Sequence, residues 1–336
     1  MSKEVHVAVA GSTGAVGEEM LRVLEKRNFP VGQLTLLASS RSVGKKQIFR
    51  GQEYTVQELG HDSFEGVDIA LFSAGGSITK IYAPSAVKAG AVVVDNSSAY
   101  RMDPQTPLVI PEINAGDIAA HKGIIANPNC STIIMLMAVY PIHQLNPVKS
   151  IIVSTYQAAS GAGAAAMREL EDQARDVLDQ KKIEPNIFPW QIAFNAFSHN
   201  SAMNQENGYN EEELKMVNET RKILHLDQIQ VSPTCIRIGT FRAHAESIHL
   251  ELTNPLAELD GYRKALSEFP GVTVIDDRAT NRFPMPTESS GQDDVFVGRL
   301  RPGLDQSHSL ELFCCGDQIL KGAALNAVQI AEQLLD

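Results

Sequence analysis

The first half of the chain alternates short apolar runs with segments whose apolar residues recur at helical spacing. Residues 18–26 form the first helical pattern, with Met20, Leu21 and Leu24 on one face. The apolar runs occupy residues 5–10, 34–38, 68–72, 91–94 and 123–126. Continuous apolar strands separated by helices predict a parallel sheet that is covered on both faces.

The second half of the chain carries a different pattern. Residues 132–140 are apolar all round, which predicts a buried helix that Ser131 caps. Alternation of apolar and polar residues further along predicts antiparallel strands in this half. The remaining predicted elements are a strand over 151–156, a loop over 157–163, a helix with Met167, Leu170, Ala174 and Val177 on one face, a helix opened by an Asn210–Glu213 capping box, and a strand carrying Ile248, Leu250 and Leu252.

These patterns predict an α/β protein with two domains, because 336 residues exceed what one hydrophobic core usually organises. We predict a Rossmann-like dinucleotide-binding domain over residues 1–130 and a second, α+β domain over 131–317. The final segment, 318–336, is predicted to be a helix that packs on the first domain. Its proposed packing face consists of Leu320, Ala324, Ala327, Ala331 and Leu334.

Composition narrows the classes of partner. A net charge of -11 argues against a nucleic acid or an anionic membrane surface as a partner. The longest apolar run, 132–140, is shorter than the roughly 20 residues that span a bilayer, and no signal peptide precedes the first strand. The four cysteines fit neither a zinc site nor a disulfide framework. We therefore predict a cytoplasmic protein with reduced thiols and no metal.

A glycine-rich loop lies between the first strand and the first helix. Glycine lets the backbone turn tightly and approach a pyrophosphate, and a helix N-terminus offers unpaired N–H groups. The spacing GxxGxxG departs from the strict GxGxxG fingerprint, so a glycine-rich turn without a ligand is the alternative. The position between strand and helix favours a dinucleotide site made of Gly11, Ser12, Thr13, Gly14, Ala15, Val16 and Gly17.

The end of the second strand indicates which dinucleotide binds. An NAD enzyme usually places an acidic residue there to bind the ribose 2′-OH. This chain instead has Ser39, Ser40, Arg41 and Ser42. Hydroxyl groups and a guanidinium suit a 2′-phosphate, so we predict NADP as the cofactor. A solvated loop arginine is the alternative for Arg41.

Cys130 lies between an apolar strand and an apolar helix, in the stretch NPNCST. A thiol at a helix N-terminus feels the positive end of the helix dipole, which favours the thiolate. Thiolates attack aldehydes and acyl phosphates, so we predict that Cys130 is a nucleophile. The other cysteines, Cys235, Cys314 and Cys315, lie in apolar surroundings and are predicted to be inert core residues.

His244 shares strand parity with the apolar residues of 248–252, so its side chain is predicted to face the covered side of a strand. Arg237 and His244 differ by an odd number of positions. A bend near Gly239 and Thr240 is therefore needed to bring the two side chains together. From this pattern alone, a structural core histidine is a more common interpretation than a catalytic one.

These stretches together resemble one family over nearly the whole chain, the aspartate-semialdehyde dehydrogenases, and most closely the shorter form of that family. The NPNCST and RxxxxxxH elements together are highly specific. The matching stretches are GSTGAVG from Gly11, SSAYR ending in Arg101, ANPNCST around Cys130, YQAASGAG around Gln157, EELK over 212–215, CIRIGTFRAHAES around Arg237 and His244, MPTESSGQDDVFVGR, and the final helix with Asn326.

The resemblance implies a role for each matching residue, and it makes the second domain the catalytic and dimerisation domain. From the residues alone, Glu212 and Lys215 also fit a surface ion pair, and Arg101 also fits a pairing with a nearby acid. No role is implied for Arg242. The implied roles are nucleophile for Cys130, acid or base for His244, orientation of substrate and thioester for Gln157, binding of the α-carboxylate for Arg237 and of the ammonium for Glu212, phosphate binding for Arg101, Lys215 and Asn96, contact with the nicotinamide for Ser160 and Gly161, and a place near the cofactor for Asn326.

The implied reaction is the NADPH-dependent reductive dephosphorylation of L-aspartyl 4-phosphate to L-aspartate 4-semialdehyde through a thioester. It would supply lysine (by way of diaminopimelate), methionine and threonine synthesis. The resemblance also implies a homodimer that binds a small-molecule substrate and inorganic phosphate. Two alternative functions are also compatible with the sequence. One is N-acetyl-glutamyl-phosphate reductase, with the same chemistry on a longer, acylated substrate. The other is a non-catalytic NADP-binding protein, which has no need for a thiol, a histidine and anion-binding groups together.

Overall fold

The structure is a computed structural model that describes residues 4–304 and 307–335. The chain divides into two compact units. The first contains the residues up to Asn129 together with the C-terminal segment from Ala323, and the second is Cys130–Gly322.

The first unit contains the predicted parallel sheet. Within its described residues, six parallel strands are arranged in the order β5-β2-β1-β6-β7-β8. A separate hairpin, β3–β4, lies outside this sheet. The strands are β1 Val5–Ala10, β2 Val31–Ala38, β3 Lys46–Phe49, β4 Gln52–Thr55, β5 Gln57–Glu58, β6 Ile69–Phe72, β7 Val92–Asp95 and β8 Ile124–Ala126; the helices are α1 Ala15–Lys26, α2 Gly76–Lys88, α3 Pro111–Asn114 and, from the end of the chain, α9 Leu325–Glu332.

The strand order places a ligand crevice at β1. The chain runs from β1 to β2 on one side and then crosses to β6 on the other side of β1. The loops that follow β1 and β6 therefore leave the sheet in opposite directions, and such a switch point is where open α/β sheets bind ligands. The glycine-rich loop follows β1, so the topology places it at this crevice.

Helix α1 buries the face that the sequence predicts. Met20, Leu21 and Leu24 are all buried. Helix α9 packs on α1, and Arg27 donates two hydrogen bonds to the Glu332 carboxylate, at 2.6 and 2.7 Å. The helix expected over 318–336 is shorter than predicted, because a π-helical turn at Leu320–Ala324 precedes α9.

The second unit is built on a mixed sheet. In the described part of this unit, seven strands are arranged in the order β10-β11-β9-β12-β15-β14-β13. The β9–β11 and β13–β14 pairs are parallel and the other pairs are antiparallel. The strands are β9 Val148–Gln157, β10 Ala196–Ser198, β11 Gln230–Ile238, β12 His244–Leu252, β13 Val272–Val274, β14 Val295–Pro302 and β15 Ser309–Gly316; the helices are α4 Cys130–Leu145, α5 Ala164–Leu178, α6 Glu211–Leu224, α7 Leu259–Glu268 and α8 Pro286–Ser289.

Helix α4 covers the centre of this sheet, in contact with β9, β12, β14 and β15. Residues 131–139 are all buried, as the uniform apolarity of this segment predicts. The predicted cap at Ser131 is wrong. The helix already begins at Cys130, so Ser131 lies in the first turn, and its hydroxyl finds no hydrogen-bond partner among the described residues. The thiol is therefore carried by the first residue of the helix.

No helix in the described ranges 4–304 and 307–335 is long and apolar enough to cross a membrane.

Candidate active site

Three predicted site residues lie side by side at the ends of adjacent strands of the second unit. Gln157 is the last residue of β9, and Arg237 pairs with it on β11. His244 is the first residue of β12, which lies on the opposite side of β9. The bend predicted near Gly239 and Thr240 is present, because β11 ends at Ile238 and β12 begins at His244. Arg237 and His244 belong to two strands separated by β9, and residues 239–243 connect them.

Ala158 holds both Arg237 and His244 through its peptide groups. Its N–H donates to His244 Nδ1 at 3.0 Å, and its carbonyl accepts from Arg237 Nη1 at 2.8 Å. The two side chains therefore share one backbone anchor directly after Gln157. The second guanidinium nitrogen, Nη2, donates to His199 Nε2 at 2.7 Å, and Phe188 lies beneath the guanidinium, 5.5 Å from ring centroid to Cζ.

His244 is fully buried on the covered face of β12, as its strand parity predicts. Because Nδ1 accepts the Ala158 N–H, the neutral ring carries its proton on Nε2. This N–H group has no hydrogen-bond partner within the described chain. Burial, and next the positive charge of Arg237, lower the pKa of His244 to about 3. At neutral pH the ring is therefore uncharged and presents a free N–H donor.

Glu212 lies in the first turn of α6, behind the predicted capping box. That box is confirmed, since Asn210 Oδ1 accepts from Glu213 N and Glu213 Oε2 accepts from Asn210 N. Glu212 accepts from Gln157 Nε2 at 3.2 Å and from Lys215 Nζ at 3.2 Å. The ion pair with Lys215 forms, but only 6% of the Glu212 side chain is exposed, so it is not a surface pair.

Ser160 and Gly161 lie in a 3₁₀ turn, Ala159–Ala162, that follows Gln157. Gly161 packs directly against the catalytic candidates: a Cβ there would lie 3.1 Å from Arg237 Nη1 and 3.2 Å from His244 Cε1. Ser160 Oγ accepts a hydrogen bond from Gln318 Nε2. The absence of a side chain at position 161 therefore leaves space beside the histidine and the arginine.

A turn at Asp317 and Gln318 holds the backbone just before His244. Gln318 Oε1 accepts from the N–H of Ala243, at 2.9 Å, and Ala243 adopts the left-handed conformation with φ of 70°. Arg242 Nε donates to the buried Asp317 carboxylate at 2.5 Å. Left-handed backbone at a residue other than glycine is unfavourable, and it persists where surrounding contacts impose it. Arg242 therefore has a structural contact here.

Cys130, at the start of α4, is partly exposed, whereas the other three cysteines are buried. Gly322 lies against it, 2.8 Å from the Cys130 Cβ to the position of a Cβ on Gly322. Arg237 is near enough to interact electrostatically with the thiol. Burial raises the pKa values of Cys235, Cys314 and Cys315, which keeps these thiols protonated. Cys130 is thus the accessible thiol of the second unit.

The glycine-rich loop of the first unit is shaped by close backbone contacts. Gly11 has a φ of 87°, and a Cβ there would lie 2.4 Å from the Ser73 carbonyl oxygen. A Cβ on Gly17 would lie 2.2 Å from the Gly11 carbonyl oxygen, whereas one on Gly14 would meet the same oxygen at 3.4 Å. Gly14 is the N-cap of α1 and offers no side-chain cap, so the first N–H groups of the helix stay open.

The two loops predicted to bind the cofactor meet in the first unit. Thr13 Oγ1 donates to Ser42 Oγ at 3.3 Å. Ser39, Ser40 and Arg41 are exposed, and Ser40–Ser42 form a 3₁₀ turn. The hydroxyl of Ser12 is buried and without a hydrogen-bond partner in the described part of the chain. These features place hydroxyl groups and the open N-terminus of α1 near one another, after the ends of β1 and β2.

Arg101 and Asn96 also belong to the first unit, next to Asn127. Arg101 donates through Nε to the carbonyl of Asn127 at 2.9 Å and through Nη2 to that of Asn96 at 2.8 Å. Asn96 Nδ2 is a buried donor with no hydrogen-bond partner among residues 4–304 and 307–335. Asn326 is fully buried, and its Nδ2 donates to Asn127 Oδ1 at 2.6 Å and to the Val109 carbonyl at 2.9 Å.

Two titratable residues near the site, His199 and Glu246, were not predicted from the sequence. His199 follows the three-residue strand β10, which has no clear apolar alternation. Glu246 lies two residues after His244 on the same covered face, and its carboxyl group has no hydrogen-bond partner in the described structure. Burial, and next the charge of Glu212, raise the pKa of Glu246 well above its ordinary value, which disfavours the charged form. Strand parity places Glu246 beside His244, but parity alone predicts an apolar residue there.

The arrangement in the second unit supplies complementary groups for a small charged molecule. It combines a thiol, a histidine N–H, a fixed guanidinium fork and a buried carboxylate. Within the described residues, no three His, Cys, Asp or Glu side chains are grouped so as to hold a metal ion. A thiol can act as a nucleophile, and a guanidinium and a carboxylate can bind the two charges of a zwitterion.

Comparison with family models gives one match for each half of the chain. Residues 6–121 match the model described as semialdehyde dehydrogenase, NAD binding domain. Residues 139–321 match the model described as semialdehyde dehydrogenase, dimerisation domain.

Curated relatives and solved structures match over the full length. The aspartate-semialdehyde dehydrogenase of Bacillus subtilis is 51% identical, with 99% of this chain and 98% of that protein covered. The enzyme of the same name from Synechocystis is 51% identical, with coverage of 100% and 99%. The crystal structure of aspartate semialdehyde dehydrogenase II from Vibrio cholerae, complexed with ASA, is 43% identical, has a TM-score of 0.96, and covers 99% of this chain and 98% of its own.

Proposed function

This chain belongs to the aspartate-semialdehyde dehydrogenase family, and from that premise we propose that it converts L-aspartyl 4-phosphate and NADPH reversibly into L-aspartate 4-semialdehyde, phosphate and NADP through a thioester on Cys130. The observation that carries the proposal is the convergence of Gln157, Arg237 and His244 at the ends of β9, β11 and β12. This convergence occurs in a chain 51% identical to a named enzyme of the family.

Cys130 is the proposed nucleophile. Its thiolate attacks the acyl carbon of the substrate, the carbon–sulfur bond forms, and the bond from carbon to the phosphate oxygen breaks. Support comes from its partial exposure at the first residue of α4, where the helix dipole favours negative charge, and from the nearby positive charge of Arg237. NADPH, when bound, supplies the hydride that reduces the thioester carbonyl.

His244 acts next, on the tetrahedral hemithioacetal. Its Nε2–H donor stabilises negative charge on the hemithioacetal oxygen and on the departing thiolate when the carbon–sulfur bond breaks. To give up its Nε2 proton, the ring must also carry a proton on Nδ1. To accept a proton at Nε2, the neutral ring must carry its proton on Nδ1 instead. In both cases the Nδ1 proton would point at the Ala158 N–H group, whose nitrogen lies 3.0 Å away. We therefore assign His244 as a hydrogen-bond donor in the resting site. It exchanges a proton only when its ring releases Ala158.

The proposed substrate contacts use the charges of an amino acid. Arg237 binds the α-carboxylate through its planar fork, and Glu212 binds the ammonium group. Gln157 contacts Glu212 and ends the strand next to the thioester, so it orients both the substrate and the acyl group. In the phosphate step, Arg101, Asn96 and Lys215 supply the cationic and N–H donors. The buried, unpaired Nδ2 of Asn96 supports this role.

NADP is the proposed cofactor, and the residues of the first unit fit it. Gly11 and Gly17 allow a backbone approach that any side chain would block, and the open N-terminus of α1 suits a pyrophosphate. The exposed Arg41 and the neighbouring serines suit the 2′-phosphate, since no carboxylate stands there to repel it. Ser160 and Gly161 are assigned to the nicotinamide. Asn326 serves the cofactor site indirectly by bracing Asn127.

A homodimer in the cytoplasm completes the proposal. The match of residues 139–321 to a dimerisation domain supports the dimer. Four free cysteines suit a reducing compartment. The product would supply lysine, methionine and threonine synthesis.

The test is a substrate comparison with the wild-type enzyme and two glutamate variants. NADPH formation is followed with aspartate semialdehyde, NADP and phosphate, then without phosphate, and then with N-acetyl-glutamate semialdehyde. An acylated substrate offers no positive charge to Glu212 and would leave that carboxylate unpaired. Sites built around a polar pairing reject analogues that lack it, often by about 10⁴-fold.

We expect phosphate-dependent turnover of aspartate semialdehyde and rejection of the acetylated analogue. Glu212→Gln should weaken the natural reaction and narrow this discrimination, while Glu211→Gln, on the exposed side of the same helical turn, should change neither. Comparable wild-type efficiency on the two aldehydes would refute both the substrate and the role of Glu212.

A further inference from the structure

His199 is fixed beside Arg237 by the edge strand β10. Phe197 of β10 pairs with Arg237 of β11, and the backbone N–H of His199 continues this ladder by donating to the Cys235 carbonyl at 2.8 Å. The imidazole is thereby placed next to the guanidinium. Its Nε2 lies 2.7 Å from Arg237 Nη2.

The protons of this contact can be assigned from the donors alone. A guanidinium only donates, so His199 Nε2 accepts and the neutral ring carries its proton on Nδ1. Nδ1 lies 3.1 Å from Ser201 Oγ and 3.2 Å from the Ser201 backbone nitrogen, and in this tautomer it donates to the hydroxyl and does not accept the N–H. Ser201 Oγ donates to Asn210 Oδ1 at 3.3 Å. The same Ser201 oxygen accepts the backbone N–H of Glu212 at 3.1 Å. One hydrogen-bond chain therefore runs from Arg237 to the first turn of α6.

His199 is neutral in this position. Burial lowers its pKa to about 4, with Glu212 opposing the shift and Arg237 and Lys215 adding to it. These three are the charged side chains that face the ring. In a protonated ring, Nε2 would carry a proton and point it at the Arg237 guanidinium. Nε2 could then no longer accept the hydrogen bond from Arg237 Nη2.

We propose that His199 is a positioning residue that determines specificity: it holds the Arg237 fork for the substrate carboxylate and links it, through Ser201, to the helical turn that carries Glu212. The inference rests on the proposed function, in which Arg237 and Glu212 bind the two charged groups of an amino acid. His199 contacts the fork itself, whereas Glu212 keeps its own contacts with Gln157 and Lys215, so the loss of His199 should act on carboxylate recognition.

A neutral acceptor is the chemically suitable partner at this position. A carboxylate in place of the imidazole would hold the guanidinium equally well, but it would neutralise Arg237 and compete with the substrate carboxylate. An apolar side chain would leave Nη2 without an acceptor, and the guanidinium would lose one of its two anchors. Imidazole orients the arginine and leaves its charge for the ligand.

The experiment varies the substrate charges and the side chain at 199 together. The substrates are aspartate semialdehyde, succinic semialdehyde, which lacks the ammonium group, and 3-aminopropanal, which lacks the carboxylate. The variants are His199→Ala, His199→Gln and His199→Glu. Glutamine retains an acceptor for Arg237 and a donor for Ser201. His143→Gln controls for the loss of a half-buried histidine elsewhere in the unit, since burial also lowers the pKa of His143.

For His199→Ala, we expect KM to rise roughly tenfold for the two carboxylate substrates, as for the loss of one hydrogen bond to a charged group. The change in kcat and in the NADP dissociation constant should stay below about twofold, and 3-aminopropanal should be unaffected. His199→Gln should restore wild-type KM, and His199→Glu should be worse than alanine. For any substrate too slow to follow, its inhibition constant against aspartate semialdehyde replaces KM.

Equal losses on all three substrates, or a loss in kcat rather than KM, would overturn the inference and leave His199 as a residue that only stabilises the fold. Failure of His199→Gln to recover KM would overturn it as well. If wild-type enzyme does not use aspartate semialdehyde at all, the proposed function fails. If wild type is active and His199→Ala matches it, only the inference about His199 fails.

Discussion

The two units present different kinds of groups to their proposed ligands. In the second unit the groups that face the proposed substrate are side chains, each held by a partner: His244 and Arg237 by Ala158, and Glu212 by Gln157 and Lys215. In the first unit the groups that face the proposed cofactor are mainly backbone, because the glycine loop is defined by close contacts at Gly11 and Gly17. We therefore expect catalysis to depend on side-chain identity in the second unit, and dinucleotide binding to depend mainly on backbone space in the first.

The largest effect should come from the thiol. Cys130→Ser should lower turnover by more than roughly 10³-fold, because an unactivated hydroxyl is a poor nucleophile. NADP binding should persist, since the cofactor loop lies in the other unit. Stopped-time assays measure turnover, and a titration gives the dissociation constant of NADP. Cys314→Ala, at a buried thiol, should retain turnover per folded molecule, and substantial turnover by Cys130→Ser would remove Cys130 from the mechanism.

His244 should have the next largest effect. His244→Ala removes the N–H donor that we propose acts on the hemithioacetal, and turnover should fall by roughly 10²–10⁴-fold, the range for general acid–base and oxyanion groups. Circular dichroism should show an unchanged fold. Unfolding of the variant, with normal activity in the folded fraction, would instead favour the structural-histidine interpretation.

A matched pair of glycines tests the backbone side of the comparison. Gly17→Ala places a Cβ 2.2 Å from a carbonyl oxygen, whereas Gly14→Ala places one at 3.4 Å, an ordinary contact. The first should weaken NADP binding by about 10²-fold or more, and the second by a few-fold at most. Titration of NADP measures both, and iodoacetamide labelling of Cys130 reports whether the second unit is intact. Equal losses of NADP affinity in the two variants would mean that the close contact at Gly17 is not what limits side chains in this loop.

A smaller effect is expected at Arg41, the charged residue among those that we propose bind the cofactor. Arg41→Ala should raise the KM for NADP by about tenfold, the scale of one charge-assisted contact, and leave that for NAD unchanged. Kinetics with both cofactors decide this. Parallel changes would mean that Arg41 does not contact the 2′-phosphate.

The last effect concerns stability in acid and not binding or turnover. The pKa of His244 is lowered from its ordinary value near 6.5 to about 3, so below about pH 6.5 the unfolded chain binds a proton that the native protein does not. Stability should therefore fall with decreasing pH by up to about 1.4 kcal/mol per unit from this group. Urea unfolding at several pH values should show a shallower decline for His244→Gln. Parallel curves would mean that the native ring takes up protons freely.

The sequence predicted local features of both units well. The parallel strands, the buried face of α1, the apolar helix α4 and the Asn210–Glu213 capping box follow from spacing along a continuous segment, and each is present. Helix boundaries were less accurate: α4 begins at Cys130, one residue before the predicted cap. A helix start depends on a few weak hydrogen bonds, so its residue is poorly specified by pattern.

Features that depend on contacts distant in sequence could not be predicted. The insertion of β9 between β11 and β12 brings Arg237 and His244 together, and no pattern within residues 237–244 reveals it. The same holds for His199, which meets Arg237 because β10 pairs with β11, and for Ala158, whose one peptide anchors two side chains. The resemblance to a family implied a role for each residue, but it did not indicate which hydrogen-bond partners hold these side chains in place.

Trapping the acyl-enzyme tests the central claim most directly. Wild-type protein is mixed with aspartate semialdehyde and NADP without phosphate, quenched in acid, digested and examined by mass spectrometry. The account predicts one NADPH formed per active site and one aspartyl group attached to the peptide that carries Cys130, released as soon as phosphate is added. NADP reduction without any adduct, or an adduct on Cys235, Cys314 or Cys315, would contradict it.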